Sequence, residues 1–273
     1  MLAAAALNTP DEMPQDIRWM NAASAALLVL AVVLLLAAGL VKLSRLPFFN
    51  IAHLQLEGEM QRNNLATVRA NALPRLSRGF FNQDLAKARE AFEAVPWVRR
   101  AVVRRVWPNE LRVTLEEHRP AAYWHHEDRD DQLVNTFGEV FDANLGDVED
   151  EPLPTLSAPA NPMPDQAKVM LDMLHRLQPM VAPLQAEIDT LRLTDRGSWS
   201  VLLDNGADIE LGRGTADEVA VRVERFVRTL PELQHQYPAP LAHADLRYPQ
   251  GYAVRLRGVT TLQDAAKTAV KKR

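Results

Sequence analysis

The longest apolar run in the chain, Ala22 to Val41, contains no charge and is bracketed by Arg18 and Lys42. About 20 such residues cross roughly 30 Å of hydrocarbon as a helix, so the run predicts a membrane anchor. A buried globular helix that is apolar on every face would need a larger core than this chain can build. A cleavable leader, for which Ala37, Ala38 and Gly39 offer small residues, would have an unusually long apolar segment. Asp11, Glu12 and Asp16 outnumber Arg18 before the run, and Lys42 and Arg45 follow it. Local charge therefore hints at an outward N-terminus, whereas a long folded body translocates largely regardless of such charge.

Beyond the anchor the pattern alternates between strand-like and helix-like periods. Phe49 to Glu57 reads as a strand through Ile51, Leu54 and Leu56, ended by Gly58. Asn64 to Leu73, stopped by Pro74, and Gln83 to Val95, stopped by Pro96, have helical spacing. Val98 to Trp107 and Leu111 to Glu117 are strands joined by a turn at Pro108, Asn109 and Glu110. Strand, helix, helix, strand, strand predicts a small sheet with two helices on one face.

After Pro120 the signals are mainly β. Ala121 to Trp124, Leu133 to Thr136 and Glu139 to Phe141 come first, then a proline-rich, acidic connection over Asp147 to Pro164. A helix is expected from Asp165, as its cap, to Met180. Ile188 to Leu193, Ser198 to Leu203 and Ala207 to Leu211 are three strands, with Asn205-Gly206 a hairpin signal. Thr215-Ala-Asp-Glu218 has the form of a capping box and starts a helix expected to end at Pro231. The last strand is expected over Leu246 to Leu256, with Leu246, Tyr248, Tyr252, Val254 and Leu256 on one face. Pro249, which cannot donate to a ladder, and Gly251 place that strand at an edge or a bulge, where a peptide can add as a further strand. No repeat is evident. The fold class is thus α+β: one transmembrane helix, a small β-α-α-β-β domain, and a mainly antiparallel β domain with covering helices.

Composition sharpens this picture. The chain has 273 residues, 47% hydrophobic and 24% charged, enough for a real core. It has no cysteine, which removes disulfides, thiolate metal sites and cysteine nucleophiles. Leu46 to His118 carries 11 Lys/Arg and 8 Asp/Glu, whereas Arg119 to Leu256 carries 12 and 23. The acidic second segment argues against nucleic acid as a partner.

Candidate chemistry is sparse. His125 and His126 beside Glu127, Asp128, Asp130 and Asp131 read as a solvated hairpin loop, since adjacent strand residues face opposite sides and no second ligand cluster follows. Leu211-Gly212-Arg213-Gly214-Thr215 lacks the P-loop lysine and reads as a capped helix start. No serine stands in a nucleophile-elbow context, so no catalytic, cofactor-binding or metal-binding residues are expected, and no small-molecule substrate. The basic run Arg99, Arg100, Arg104 and Arg105 either guards an exposed strand against edge pairing or forms a docking surface.

Several short elements resemble the FtsQ family of bacterial cell-division proteins. They are Val95-Pro96-Trp97-Val98, Val103-Arg104-Arg105-Val106-Trp107-Pro108-Asn109-Glu110-Leu111, Glu117, Pro120-Ala121-Ala122-Tyr123-Trp124 and Gly138-Glu139-Val140-Phe141. Leu153-Pro154, Ser198-Trp199, Leu211-Gly212-Arg213, Arg225-Phe226 and Asp245-Leu246-Arg247-Tyr248 continue the likeness in the same order. The resemblance implies a cytoplasmic tail (1–20), a transmembrane helix (21–43), a POTRA domain (46–118), a periplasmic β domain (119–256) and a flexible tail (257–273). It also implies an inner-membrane protein enriched at the septum that binds FtsB, FtsL and other divisome proteins and helps control septal peptidoglycan synthesis without catalysing it. The FtsB site maps onto the last strand at Arg247, Tyr248, Gln250, Gly251, Tyr252, Ala253, Val254 and Arg255, with Arg196 as a second arginine for acidic partner residues. The POTRA recruitment surface maps onto Arg100, Val103 and Arg105. Where the family usually carries Asp-x-Gly after the tyrosine, this chain has Pro249-Gln250-Gly251. Two rival readings are a POTRA-type receptor for secreted or unfolded polypeptides and an anchored periplasmic hydrolase; the second requires a pocket of converging titratable groups, which is not expected.

Overall fold

The computed structural model describes residues 15–258 other than 45, 59, 64, 77, 78 and 128. The expected tails before residue 15 and after residue 258, including Asp11, Glu12 and the basic residues 271–273, lie outside the described residues, as do Arg45, Asn64 and Asp128.

Helix α1 (Gln15–Ser44) contains the apolar span Trp19–Leu43, 25 residues long. All its side chains in that span are exposed. At 1.5 Å per residue the span measures about 37 Å, enough to cross a hydrocarbon core of about 30 Å. One N-terminal apolar helix followed by a folded body fits a single-pass membrane protein.

The small domain follows as β1 (His53–Gly58), α2 (Leu65–Ala72), α3 (Leu85–Glu93), β2 (Val98–Val106) and β3 (Glu110–Glu117). Its sheet has the order β1-β3-β2, with β1 parallel and β2 antiparallel to the central β3. Strand β1 begins at His53 rather than Phe49 because Pro47–Phe49 coils into a 3-10 turn. The alternation in β3 buries Leu111, Val113 and Leu115 against the helices. Val68 and Ala72 from α2 and Phe92 from α3 complete that core. Asp84 caps α3 by accepting from Ala86 N and Lys87 N at 2.9 and 3.3 Å.

The second domain contains β4 (Pro120–His125), β5 (Gln132–Asn135), β6 (Val140–Phe141), β7 (Thr155–Ser157), α4 (Gln166–Val181), β8 (Ile188–Leu193), β9 (Ser198–Leu203), β10 (Asp208–Arg213), α5 (Ala216–Gln236), β11 (Leu241–Asp245) and β12 (Ala253–Leu256). They form one sheet in the order β12-β11-β10-β9-β8-β7-β4-β5-β6. Three pairings, β4–β7, β7–β8 and β10–β11, are parallel, and the other five are antiparallel. Met170, Leu174 and Leu177 of α4 and Val223, Phe226 and Leu230 of α5 share one core with Trp124, Leu156, Leu191, Val201, Ile209 and Ala244 of the strands. The Thr215 capping box is formed, with Glu218 N donating to Thr215 Oγ1 and Thr215 N to Glu218 Oε2 at 3.3 and 2.8 Å.

Four expectations need correction. The connection 147–164 contains β7, a three-residue central strand whose Leu156 is fully buried between two parallel neighbours. The expected last strand over 246–256 is two pieces of structure: a turn, then β12. Its partner β11, alanine-rich and weak in β propensity, lies in a stretch that carried no strand expectation. Helix α5 passes through Pro231 to Gln236. The proline is exposed, and buried Leu230 with half-buried Leu233 keeps the helix packed on either side of it. Asp165 flanks α4 but accepts no side-chain capping bond.

A dense joint connects the two domains. Trp97, held at φ 70, is buried with Leu133, Phe141 and Val148 of the second domain, and its Nε1 donates to Asp147 Oδ2 at 2.9 Å. Arg62 stacks 4.6 Å above that indole and pairs with Glu151. Arg99 bridges Glu116 and Glu139, both at 2.7 Å, under the ring of Phe137. His118 stacks on Phe141 at 4.0 Å, and its Nδ1 faces Asn135 Nδ2 at 2.9 Å. The Arg99 hydrogen bond lowers the Glu139 pKa to about 2, and burial lowers that of His118. Glu117 accepts the backbone N–H groups of Gln61, Arg62 and Asn63, which fixes the entry to α2.

Candidate functional site

Strand β12 ends the sheet. Among the described residues it pairs only with β11, in the register Asp245↔Ala253, Ala244↔Val254, His243↔Arg255 and Leu241↔Leu256. Val254 and Leu256 turn toward the core, while Ala253 and Arg255 are exposed. A terminal strand of this kind carries backbone donors and acceptors on its outer side that a second polypeptide can pair.

The turn entering β12 is clipped to α5 at three points. Arg225 Nη1 donates to Pro249 O at 2.9 Å, Tyr252 OH and Thr229 Oγ1 are 2.7 Å apart, and the Tyr252 ring meets Phe226 edge-on at 5.1 Å. Tyr252 is therefore committed to its own chain, contrary to the expectation that it joins Tyr248 on one strand face. Tyr248, Gln250 and Gly251 lie in the turn rather than in a strand, and Tyr248 is 54% exposed. Pro249 sits where no ladder bond is demanded of it.

Arg247 and Arg196 are brought to one open hollow of about 830 Å³, together with Arg213, Arg222, Asp195 and Glu210. Arg247 forms a two-point pair with the mostly buried Asp245, Nε to Oδ1 at 2.8 Å and Nη2 to Oδ2 at 2.7 Å. That fork lowers the Asp245 pKa and raises that of Arg247. The guanidinium is thus held in a fixed direction with its outer side still wet. Gly212, at φ 80 on the β10 bulge, permits this: a Cβ there would lie 2.9 Å from Arg247 Cγ. Arg222 spends its guanidinium on the carbonyls of Leu211 and Arg213, and Arg196 is exposed in the β8–β9 turn. A hollow with converging titratable groups exists after all, which corrects one expectation. Arginines dominate it, so it suits carboxylates of a partner rather than acid–base chemistry. Arg213 and Arg222 escaped sequence reasoning because only the parallel β10–β11 pairing sets the end of β10 beside Arg247.

The second expected surface lies on β2, an edge of the small sheet. Arg100 is exposed on the open face with Val102 and Arg104, whereas Val103 is half-buried on the helix-covered face. Arg105 reaches round that side to donate to Gln83 O. The three residues share a strand edge but not a face. In the β4–β5 hairpin His125 Nδ1 meets Asp131 at 2.8 Å, and His126 is buried with Nε2 2.9 Å from Ala160 O, so that loop is only partly solvated. Among the described residues no three His, Asp or Glu side chains gather as a metal site would require.

Residues 49–118 match the family described as POTRA domain, FtsQ-type, and residues 122–247 match Cell division protein FtsQ/DivIB, C-terminal. Over 256 residues the chain is 39% identical to Cell division protein FtsQ of Burkholderia pseudomallei, covering 93% of this chain and 99% of that protein. It is 40% identical to the protein of the same description from Thiomonas arsenitoxydans, over 92% of this chain and 91% of that one. With that of Bordetella pertussis the identity is 36%, over 89% and 93%.

Proposed function

This chain belongs to the FtsQ/DivIB family of cell division proteins, and from that premise we propose that it is a non-catalytic inner-membrane scaffold that captures FtsB, with FtsL, on the free edge of β12. In this reading the N-terminus is cytoplasmic, residues 119–256 form the periplasmic capture domain, and residues 46–118 serve recruitment through the β2 edge at Arg100, Val103 and Arg105. Complex formation at the septum then helps control peptidoglycan synthesis.

The observation that carries the reading is the position of β12 at the end of the sheet order, with one flank unpaired among the described residues. An incoming FtsB strand would gain main-chain hydrogen bonds there, and the adjoining turn would offer it the exposed Tyr248 ring. Acidic partner residues would meet Arg247 and Arg196 across the arginine hollow, which favours correct register over raw affinity.

The absence of cysteine gives a clean test. Single cysteines at Ala253 and Arg255, both exposed on β12, should each form disulfides with a cysteine scanned along FtsB, and the best partner positions should shift by two residues between the two sites. Cross-linking without that two-residue step, or none at all, would exclude strand addition at β12.

A further inference from the structure

Four of the six exposed large apolar side chains described between residues 46 and 118 come from three loops at one end of the small domain: Leu46, Phe48, Phe81 and Trp107. Backbone bonds hold these loops together. Phe80 N donates to Phe49 O at 2.9 Å, and Ala52 N donates to Asn109 O at 2.9 Å. Arg105, at the end of β2, donates to Gln83 O. The rings of Phe48, Phe49, Phe81 and Phe80 follow one another edge-on at 5.2, 5.2 and 5.3 Å, and the last is buried in the domain. Phe48 and Phe81 are therefore the outer face of a ring cluster rooted in the buried Phe80, and the Ala52–Asn109 bond sets the turn carrying Trp107 at the same end.

This end is also where α1 joins. Leu46 N bonds Leu43 O at 3.1 Å and Phe49 N bonds Leu46 O at 3.0 Å, so the chain coils onward from the helix instead of extending away from it. Even fully stretched, the five residues from Leu43 to Phe48 reach only about 17 Å, and the coiling shortens that. Trp19 opens the apolar span and is 76% exposed; Trp107, 73% exposed, is delivered by the fold to the opposite side. Aromatic residues at both boundaries of a span, with basic neighbours such as Lys42 and Arg104, match the chemistry of the lipid–water interface.

We propose that the small domain is seated on the membrane, with Phe48, Phe81 and Trp107 immersed in the interfacial layer of the bilayer, so that its tilt is set by lipid contact. This rests on α1 spanning the membrane. Seating would hold the second domain, clamped through Trp97 and Arg99, at a defined height and angle above the bilayer.

The test uses the full chain reconstituted into vesicles of phosphatidylethanolamine and phosphatidylglycerol with no other protein. Single cysteines at Phe81, Trp107, Leu30 and Asn205 carry a small environment-sensitive fluorophore, and quenchers are placed in the lipid headgroups, in the deep acyl chains and in the water. Probes at 81 and 107 should be quenched several-fold more by the headgroup quencher than the probe at 205, with Leu30 quenched from the deep chains. If 81 and 107 respond to aqueous quencher as 205 does while 30 remains deep, seating is overturned, including the case in which a protein partner covers the cluster instead. An aqueous response at 30 overturns the spanning helix and seating with it.

Discussion

The nine-stranded sheet ends in two different ways. At β6 the neighbouring hairpin is knitted to the small domain by a buried indole, a ring stack and a bridging arginine, with Arg62 and Asn135 using further polar groups there. At β12 the strand is four residues long, follows a proline-containing turn, and is held by β11 and three contacts from α5. Among the described residues, the same sheet thus has one end knitted to the small domain and one whose outer flank is unpaired. Val254 and Leu256 still anchor β12 to the main core, so the difference between the two ends lies in the outer flank of β12 and not in its packing.

The comparison can be broken most forcefully at the joint. Trp97→Ala should lower unfolding stability by about 3–5 kcal/mol, the usual loss for a buried tryptophan, while the folded fraction still captures FtsB. A loss below about 1 kcal/mol in denaturant titration would mean that the joint is not the stiff end. At the other end, Tyr248→Ala should weaken FtsB capture roughly tenfold, about 1.4 kcal/mol, with an unchanged melting temperature. Arg247→Glu is a poorer probe, because it sets a second carboxylate beside the mostly buried Asp245 and disturbs stability as well as capture.

A gentler probe is pH. His118 and Glu139 both have lowered pKa values in the folded chain, the first through burial and the second through Arg99. The folded state therefore binds fewer protons than the unfolded one, and stability is complete above the unfolded pKa values and falls on acidification. Loss should begin near pH 6.5 for His118 and resume below about 4.5 as Glu139 is titrated toward its folded value of about 2. Solvent screening of the half-exposed Glu139 keeps its step below about 1 kcal/mol. Glu139→Gln should erase the second step and deepen the first, because the Glu139 charge partly offsets the lowering of the His118 pKa. The smallest effect is expected from Thr229→Val, which removes the Tyr252 clip and should cost about 0.5 kcal/mol, visible as faster amide exchange in 248–252 rather than as a changed melting temperature.

The sequence revealed most where periodicity and punctuation were strong. The apolar run, the small β-α-α-β-β domain and the Thr215 capping box all follow from local patterns. What stayed hidden depended on distant pairing. Strand β7 has one buried side chain, Leu156, amid prolines and acids, and only parallel neighbours from far along the chain make it a strand. Strand β11 is alanine-rich and takes its identity from β10 and β12. The candidate site was legible in the same measure. Pro249 and Gly251 marked an interruption correctly, but the alternation over 246–256 could not show that Tyr252 bonds to Thr229 or that Arg247 already has Asp245.

Hydrogen exchange along the two sheet ends, followed with and without FtsB, tests the central claim most directly. In the free chain the amides of residues 253–256 should exchange much faster than those of β5 and β6, and saturating FtsB should slow the former selectively. Protection of β12 already complete in the free chain, or a β12 that FtsB leaves unchanged while slowing exchange elsewhere, would contradict an open edge as the capture site.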